Sequence, residues 1–289
     1  MTAGALAAFA AAHPFQVALD DEGPAPADDP LLRHYGGPLR VRRGARSLVA
    51  NFVATADGIA AFGDGRGEGA VAVSLHDAAD RFVMALLRSA ADCVLIGAST
   101  LRDDAHHQWT PRTPLPELAE ELARHRHRLT GSDAPPLVAV VTASGHLPSD
   151  HPALVGPEAD VLVITTREGA SRLPALHPRV QVASPAATGP IPVEAILEEL
   201  WQRRSETVLC EGGPRLFGQL AARGAVDELF LTVSPQLGGR DGAEPRPGLV
   251  AGAAFSPAQA PRLALRSLRR SGDHLFIRYA VARRRPGAG

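Results

Sequence analysis

The sequence predicts an α/β protein in three layers, with a mostly parallel central sheet that finishes in an antiparallel C-terminal hairpin. Three observations carry this reading. Short, nearly continuous apolar runs rich in β-branched residues alternate with amphipathic segments from residue 48 onward, as strands covered on both faces by helices require. The stretch "RLALRSLRRSGDHLFIRYAVARR" alternates apolar and polar residues on both sides of Ser271-Gly272-Asp273, the pattern of two antiparallel strands and a tight turn. A chain of 289 residues that is 45% hydrophobic and 21% charged is long enough to bury a full core.

Taken in order, "MTAGALAAFAAAHPFQ" reads as an N-terminal helix, because no positive residue precedes its apolar stretch as a signal peptide would need. Residues 20–47 are rich in Asp, Pro, Gly and Arg, which predicts an irregular arm outside the core. Residues 1–47 are therefore expected to be a largely irregular extension, with the compact domain at 48–283 and a tail at 284–289. Within the domain, strands are predicted at 48–55, 93–97, 137–142, 161–165, 180–183, 207–210 and 228–233, and helices at 76–90, 193–203 and 215–223. Residues 111–128 read as a loop and a polar helix in which "ARHRHRL" is a solvated face. His125 and His127 point to different sides of such a helix, which disfavours a shared metal.

Composition removes several function classes. The 30 basic and 31 acidic residues give a net charge of -1, with no like-charged block longer than the arginines at 283–285, so a nucleic-acid partner is not expected. No run approaches the roughly 18 apolar residues that cross a bilayer. Cys93 and Cys210 sit in the apolar runs "DCVLIG" and "TVLCEGG". That placement offers no metal-chelating or disulfide framework and fits a reducing cytoplasm.

Chemistry concentrates at three turns. In "TVLCEGGPRLFGQLAARG" a buried strand ends in Glu211, two glycines turn the chain, and Pro214 suits the first turn of a helix. Gly212 and Gly213 thereby expose backbone N–H groups at a helix N-terminus, where a pyrophosphate is favoured by about 0.3–2 kcal/mol per charge. In "ADCVLIGASTLRDD" Gly97 ends a strand and allows close backbone approach, and Thr100 offers a hydroxyl to a ligand. Both corners lie at carboxyl ends of strands, where open α/β sheets gather ligands. In "NFVATADGIAAFGDGRGEG" Asp57 and Gly58 close the first strand and a glycine-rich run follows. Its Gly65-x-Gly67-x-x-Ala70 lacks the strand before and the helix after that a dinucleotide fingerprint needs. A lid over the site, or a plain linker, accounts for that run better.

In this order, "ANFVATADG", "DRFVMALLRSAADCVLIGAST", "TVLCEGGPRLFGQLAARGAVDELFLTVSPQLGG" and "GDHLFIRY" resemble the reductase domain of the riboflavin-biosynthesis deaminase/reductase in a stand-alone form. The resemblance implies a dihydrofolate-reductase-like fold, a homodimer, NADPH as cofactor and a small heterocyclic substrate. It further implies reduction of a ribosylamino-pyrimidine phosphate to its ribityl form by hydride delivery to the sugar C1′. By the same resemblance Gly97, Ala98, Thr100, Glu211, Gly212, Gly213, Pro214 and Leu216 line the cofactor channel. Thr142, Ser144, Thr165 and Arg167 stand at its adenosine end, where Arg167 could meet a 2′-phosphate. Asn51, Asp57, Arg88 and Glu211 face the substrate, with Asp57 and Glu211 as catalytic candidates. Asp57 would relay a proton or orient the substrate, although a turn-forming Asp-Gly explains it equally well.

The departures concern the substrate. The riboflavin reductases usually carry a Lys in the first strand and a basic residue soon after the Asp-Gly, and here those places hold Asn51 and Ile59. Losing a cation that faces a phosphate removes about 1.5–3 kcal/mol. The loop after Thr100 is altered to "LRDDAHHQW", and no deaminase zinc motif is present. Two other readings therefore stay open: a dihydrofolate- or pterin-like reductase, and a dimer that binds NADP without turnover.

Overall fold

The structure, a computed structural model, describes residues 3–39, 45–62, 69–242 and 246–282. The chain starts with α1 (Ala3–Ala12), β1 (Gln16–Asp20), α2 (Pro30–Tyr35), β2 (Ser47–Thr55), α3 (Gly69–Val73), α4 (Ala78–Ala90), β3 (Cys93–Gly97) and α5 (Ala98–Asp103). A 3-10 turn at Pro116–Leu118 then leads into α6 (Ala119–Thr130), β4 (Leu137–Thr142), α7 (Pro152–Val155), β5 (Val161–Thr166), α8 (Arg167–Ala170) and β6 (Val180–Ala186). The last third holds α9 (Val193–Gln202), β7 (Thr207–Cys210), α10 (Pro214–Ala222), β8 (Glu228–Ser234), β9 (Leu263–Ser271) and β10 (His274–Val281).

Among the described residues the ten strands form one sheet in the order β1-β9-β10-β8-β2-β7-β3-β4-β5-β6. From β8 to β6 all neighbours are parallel. The β9–β10 hairpin then adds to β8 antiparallel, and β1 adds to β9 antiparallel. The central strands are buried on both faces because their Val, Leu and Ile side chains alternate between two cores. Val94, Ile96, Val138, Val140 and Val163 face the side of α4 and α6, and Leu95, Ala139, Leu162 and Ile164 face the side of α9 and α10. This is the three-layer architecture that the apolar runs predict, hairpin included.

Helix α4 shows how local sequence sets the frame of the site. Asp77 caps it by accepting the Asp80 N–H at 2.8 Å, a bond worth about 1 kcal/mol. Its stripe of Ala79, Phe82, Val83, Leu86, Leu87 and Ala90 is buried against the sheet.

Two expectations need correction. The N-terminal extension does not lie outside the core: α1 is the predicted helix, β1 and α2 interrupt the otherwise irregular described stretch after it, and Leu6, Phe9, Leu31, Leu32 and Tyr35 are buried in the main cluster. Phe9 stacks on Phe82 with ring centroids 5.6 Å apart. Arg269 of β9 lies 3.9 Å above the Tyr35 ring, donates to the Tyr35 carbonyl at 2.7 Å and pairs with Asp20. The second correction concerns α6, read as a solvated face. Glu121, Leu122, His125 and Arg126 are buried there because α6 packs against α4 and α2, with Arg126 donating to the Ser89 and Ala91 carbonyls. Asp29 accepts the Leu31 and Leu32 N–H groups as the cap of α2 and also holds His125 Nδ1 at 2.6 Å. His127 faces solvent beside Asp133, so the two histidines do point apart. The glycine-rich run at 63–68, including Gly65 and Gly67, and the tail at 283–289 lie outside the described residues. No described helix is long and apolar enough to cross a membrane.

Candidate active site at two adjoining glycine turns

Strands β3 and β7 are parallel neighbours, with Leu95 opposite Cys210, so both deliver their turns to the same edge of the sheet. There the two corners bond directly. Glu211 N donates to the Leu95 carbonyl at 3.0 Å, and Gly213 N donates to Thr100 Oγ1 at 3.0 Å. Gly97 and Gly213 are the N-cap residues of α5 and α10, and no side chain caps either helix from those positions. Pro214 opens α10 as predicted. A Cβ on Gly212 would stand 2.6 Å from Leu216 Cδ2 and 3.3 Å from Gly97 N, closer than packed atoms tolerate. Leu216 and Ala98 are buried and form the floor on which this backbone rests.

Farther along the same edge, β4 and β5 end side by side, with Thr142 opposite Thr165. Thr142 Oγ1 accepts the Gly145 N–H at 3.2 Å, and Thr166 caps α8 by accepting the Gly169 N–H at 2.8 Å. Gly145 has φ +74°, and a Cβ on it would lie 1.9 Å from the Gly169 carbonyl oxygen, so only glycine permits this crossing. Ser144 and Arg167 are exposed at these two turns. The Thr165 hydroxyl is buried and has no hydrogen-bond partner in the structure. From β7 to β5 is three interstrand steps, about 14 Å at about 4.8 Å each. Two adjoining glycine turns at the carboxyl ends of β3 and β7 stand where open α/β sheets gather ligands, but the Gly213 N–H is taken by Thr100 Oγ1, which corrects the expectation that both glycine N–H groups are left open to an anion.

Glu211 and Arg88 meet each other rather than a ligand. Arg88 Nε donates to both carboxylate oxygens at 3.1 Å, and Nη2 donates to Oε2 at 2.6 Å. Its Nη1 donates to His107 Nε2 at 2.6 Å and to the Thr110 carbonyl at 3.3 Å. Arg88 is 1% exposed, so its expected place on the substrate side is corrected: it anchors α4 to the turn after β7 through Glu211. A guanidinium has only donors, so His107 Nε2 must accept and the ring carries its proton on Nδ1, 3.3 Å from Asp104. Burial, then the charge of Arg88, holds the His107 pKa down to about 2. The imidazole is neutral.

Asp57 is exposed at the end of β2, and its two oxygens accept the N–H groups of Gly238 at 2.9 Å and Gly239 at 2.7 Å. The Thr55 hydroxyl also donates to it. These bonds, Thr55 first, hold its carboxyl well below the ordinary range. Such a group clamps the 238–239 loop, as the turn-forming reading of Asp57-Gly58 expects, and is a poor proton donor. Asn51 lies one residue beyond the Ala50–Cys210 pair, on the same face of β2 as Val49. That is the face on which Arg88 meets Glu211, so Asn51 and Glu211 share the α4 side of the sheet.

Three further polar residues gather here that the sequence did not single out. They are His107, Thr232 of β8, and Asp80 in the first turn of α4, which is 6% exposed. An acid in a first helical turn ordinarily signals only a favourable helix dipole. The signal for Asp80 is that its neighbours at Ala79, Phe82 and Val83 belong to the buried stripe.

The sequence pattern described as the RibD C-terminal domain matches residues 46–277. No curated protein matches the chain. Among solved structures, it is similar to a pyrimidine reductase-like protein from Corynebacterium diphtheriae, with TM-score 0.64 and 24% identity over 83% of this chain and 93% of that one. It is also similar to the Thermotoga maritima diaminohydroxyphosphoribosylaminopyrimidine deaminase/5-amino-6-(5-phosphoribosylamino)uracil reductase, with TM-score 0.59 and 21% identity over 82% of this chain and 57% of that one. For Acinetobacter baumannii RibD the TM-score is 0.61 and the identity 20%, over 83% of this chain and 59% of that one. This chain thus spans somewhat under two thirds of the length of the latter two. At these identities the structures establish a shared fold, and the sequence pattern, which covers most of the chain, establishes descent. The chain belongs to the family of the RibD C-terminal domain.

Proposed function

We propose that the protein is an NADPH-dependent reductase of a ribosylamino-pyrimidine phosphate, a step of riboflavin biosynthesis. The observation that carries this is the bond from Gly213 N to Thr100 Oγ1, which brings the two glycine turns together at one edge of the sheet. Gly97, Ala98, Thr100, Gly212, Gly213, Pro214 and Leu216 would hold the nicotinamide half and the pyrophosphate. Thr142, Ser144, Thr165 and Arg167 would hold the adenosine end. When bound, NADPH would supply a hydride for the sugar C1′. The chain's own part is to keep the cradle rigid through Arg88 and Glu211 and to seat the substrate on the α4 side of β2, beside Asn51.

The test is the loss of nicotinamide absorbance on adding substrate to the purified chain with NADPH. Oxidation that depends on the ribosylamino-pyrimidine phosphate is expected. Tight NADPH binding with no oxidation by any pyrimidine or pteridine would establish a non-catalytic binder instead. One observation favours a second reading, a dihydrofolate- or pterin-like reductase. Asn51 and Ile59 replace the cations that usually meet the phosphate, and Arg88 is taken up by Glu211. Turnover with a dihydropterin alone would select that reading.

We also propose a homodimer built on the antiparallel end of the sheet. On the face turned away from Phe276 and Arg278, the register aligns Leu19 with Leu268 and Leu268 with Ile277, next to Leu275. Leu19, Leu265 and Leu275 are 38–39% exposed, and an apolar sheet face of this kind marks a contact surface. A two-fold pairing buries the same patch twice. Ile277→Arg is expected to convert the dimer into a folded monomer in light scattering. An unchanged mass would remove this surface from consideration. Cys93 and Cys210 are free and buried, which fits a reducing cytoplasm.

A further inference from the structure

A closed circuit of contacts runs through both glycine turns, and His107 joins its two halves. Thr100 accepts the Gly213 N–H on its hydroxyl at 3.0 Å and the Asp104 N–H on its carbonyl at 3.2 Å. Asp104 Oδ2 lies 3.3 Å from His107 Nδ1, and His107 Nε2 accepts from Arg88 Nη1 at 2.6 Å. Arg88 holds Glu211 through Nε and Nη2. Glu211 then leads directly into Gly212 and Gly213. His107 thus connects the corner after β3 to the corner after β7 by a route independent of their direct bonds.

The His107 imidazole is itself held in place. The Trp109 indole, 2% exposed, meets it edge-to-face with centroids 5.1 Å apart. Trp109 stacks in turn on His151 at 5.8 Å. His151 Nδ1 accepts the Ala153 N–H at 3.1 Å, so its Nε2 donates to the Asp104 carbonyl at 2.9 Å. Trp109 has φ +51°, a left-handed backbone that is costly for a bulky residue and persists where the surroundings enforce it. On the other side, a guanidinium is a planar fork, so a bond that fixes Nη1 also fixes the direction in which Nε and Nη2 meet Glu211. The Thr110 carbonyl also accepts from Nη1, but at 3.3 Å. His107 makes the shorter of the two bonds and sets the orientation of the fork.

We propose that His107 is a positioning residue: as a neutral acceptor it orients Arg88, and through Arg88 and Glu211 it sets the spacing of the two glycine turns that receive the dinucleotide. This rests on the reductase reading above and names a residue, outside the turns, that controls their affinity. His107 touches no reacting atom, so its effect falls on cofactor binding rather than on the chemical step. Imidazole suits the task because its neutral form carries one acceptor and one donor on separate nitrogens, the first for Arg88 and the second for Asp104. The charged or titratable groups that face it are Arg88 from α4, Asp104 from its own loop and His151 from the cap of α7. Burial first, then Arg88 and His151, holds its pKa down to about 2, so the acceptor stays available throughout the physiological range.

The experiment is a calorimetric titration with NADPH of the purified chain and three variants. His107→Leu keeps the bulk and removes the acceptor, His107→Asn is too short to reach Arg88, and His107→Gln presents an amide oxygen near the place of Nε2. The Leu and Asn variants should each bind NADPH about tenfold or more weakly, the size expected when a charged donor loses its acceptor. Their KM for NADPH should rise in step, while kcat changes by less than about threefold. The Gln variant should recover a dissociation constant within about threefold of wild type. A merely structural role would lower the unfolding midpoint and leave the affinity of the folded protein unchanged. A measurement that needs no cofactor accompanies these and carries the test if the Leu and Asn variants do not fold. Nitrogen NMR of the ligand-free wild type should place the His107 proton on Nδ1 and leave Nε2 bare from about pH 5 to about pH 9. A proton on Nε2, a titration within that range, Leu and Asn variants as tight as wild type, or a Gln variant as weak as those two overturns the proposal. A wild type with the expected tautomer that does not bind NADPH overturns the reductase reading, and the role given to His107 falls with it.

Discussion

Replacing Arg88 with alanine is expected to destabilise the fold by about 3–5 kcal/mol, the largest effect of any single substitution in the site. The cause is Glu211. Its side chain is 7% exposed and its charge is met by the guanidinium, so the variant leaves a buried carboxylate with no counter-charge. Coulomb attraction is not what makes the wild-type pair favourable, because desolvating both ions offsets most of it. The cost comes from leaving one partner behind. The double variant Arg88→Met, Glu211→Leu removes both ions and should recover most of the lost stability. It should not recover NADPH binding, because Glu211 also fixes where Gly212 and Gly213 turn. Urea unfolding gives the first quantity and a fluorescence titration with NADPH the second. An Arg88→Ala midpoint corresponding to under about 1 kcal/mol would mean that Glu211 reaches solvent and the pair is not buried.

The sequence makes the parallel half of the sheet legible because each strand there is a self-contained signal. Strands β3, β4 and β7 begin and end where the apolar runs do, at Cys93–Gly97, Leu137–Thr142 and Thr207–Cys210. Glycine-turn chemistry is equally local, and Gly97 and Gly212 do come together. What escaped sequence reading depends on partners far away along the chain. Strand β1 exists because Gln16 pairs with Arg270. Helix α2 has a proper start in Asp29-Pro30, but the surrounding Asp, Pro and Gly residues hide it, and its apolar face at Leu31, Leu32 and Tyr35 has meaning only against the core. His125 is buried because Asp29 comes to it from 96 residues away. The partner of Arg88 is likewise 123 residues distant, and spacing alone cannot tell an arginine that meets a ligand from one that holds a neighbouring acid. Asp80 was missed for a related reason: a first-turn acid is common, and its burial is set by β8 and β10 rather than by its own helix.

Gly212→Ala is expected to weaken NADPH binding about 30- to 100-fold, or about 2–2.7 kcal/mol, while the protein stays folded. The two halves of this expectation come from different atoms. Toward the protein, the new methyl would press on Leu216 Cδ2 at 2.6 Å, the end of a side chain that can turn aside, so stability should fall by less than about 1.5 kcal/mol. Toward Gly97 N, 3.3 Å away, the neighbour is backbone and yields only by widening the gap between the two corners. That gap is where the donors must approach a pyrophosphate, and an anion held by oriented N–H groups loses affinity steeply when they are displaced. The substitution therefore separates recognition from folding. Calorimetric titration with NADPH, alongside the unfolding midpoint, reads both. A folded variant that binds NADPH as tightly as wild type would place the dinucleotide away from the Gly97 and Gly212 corners. The reductase reading would then need a different cleft.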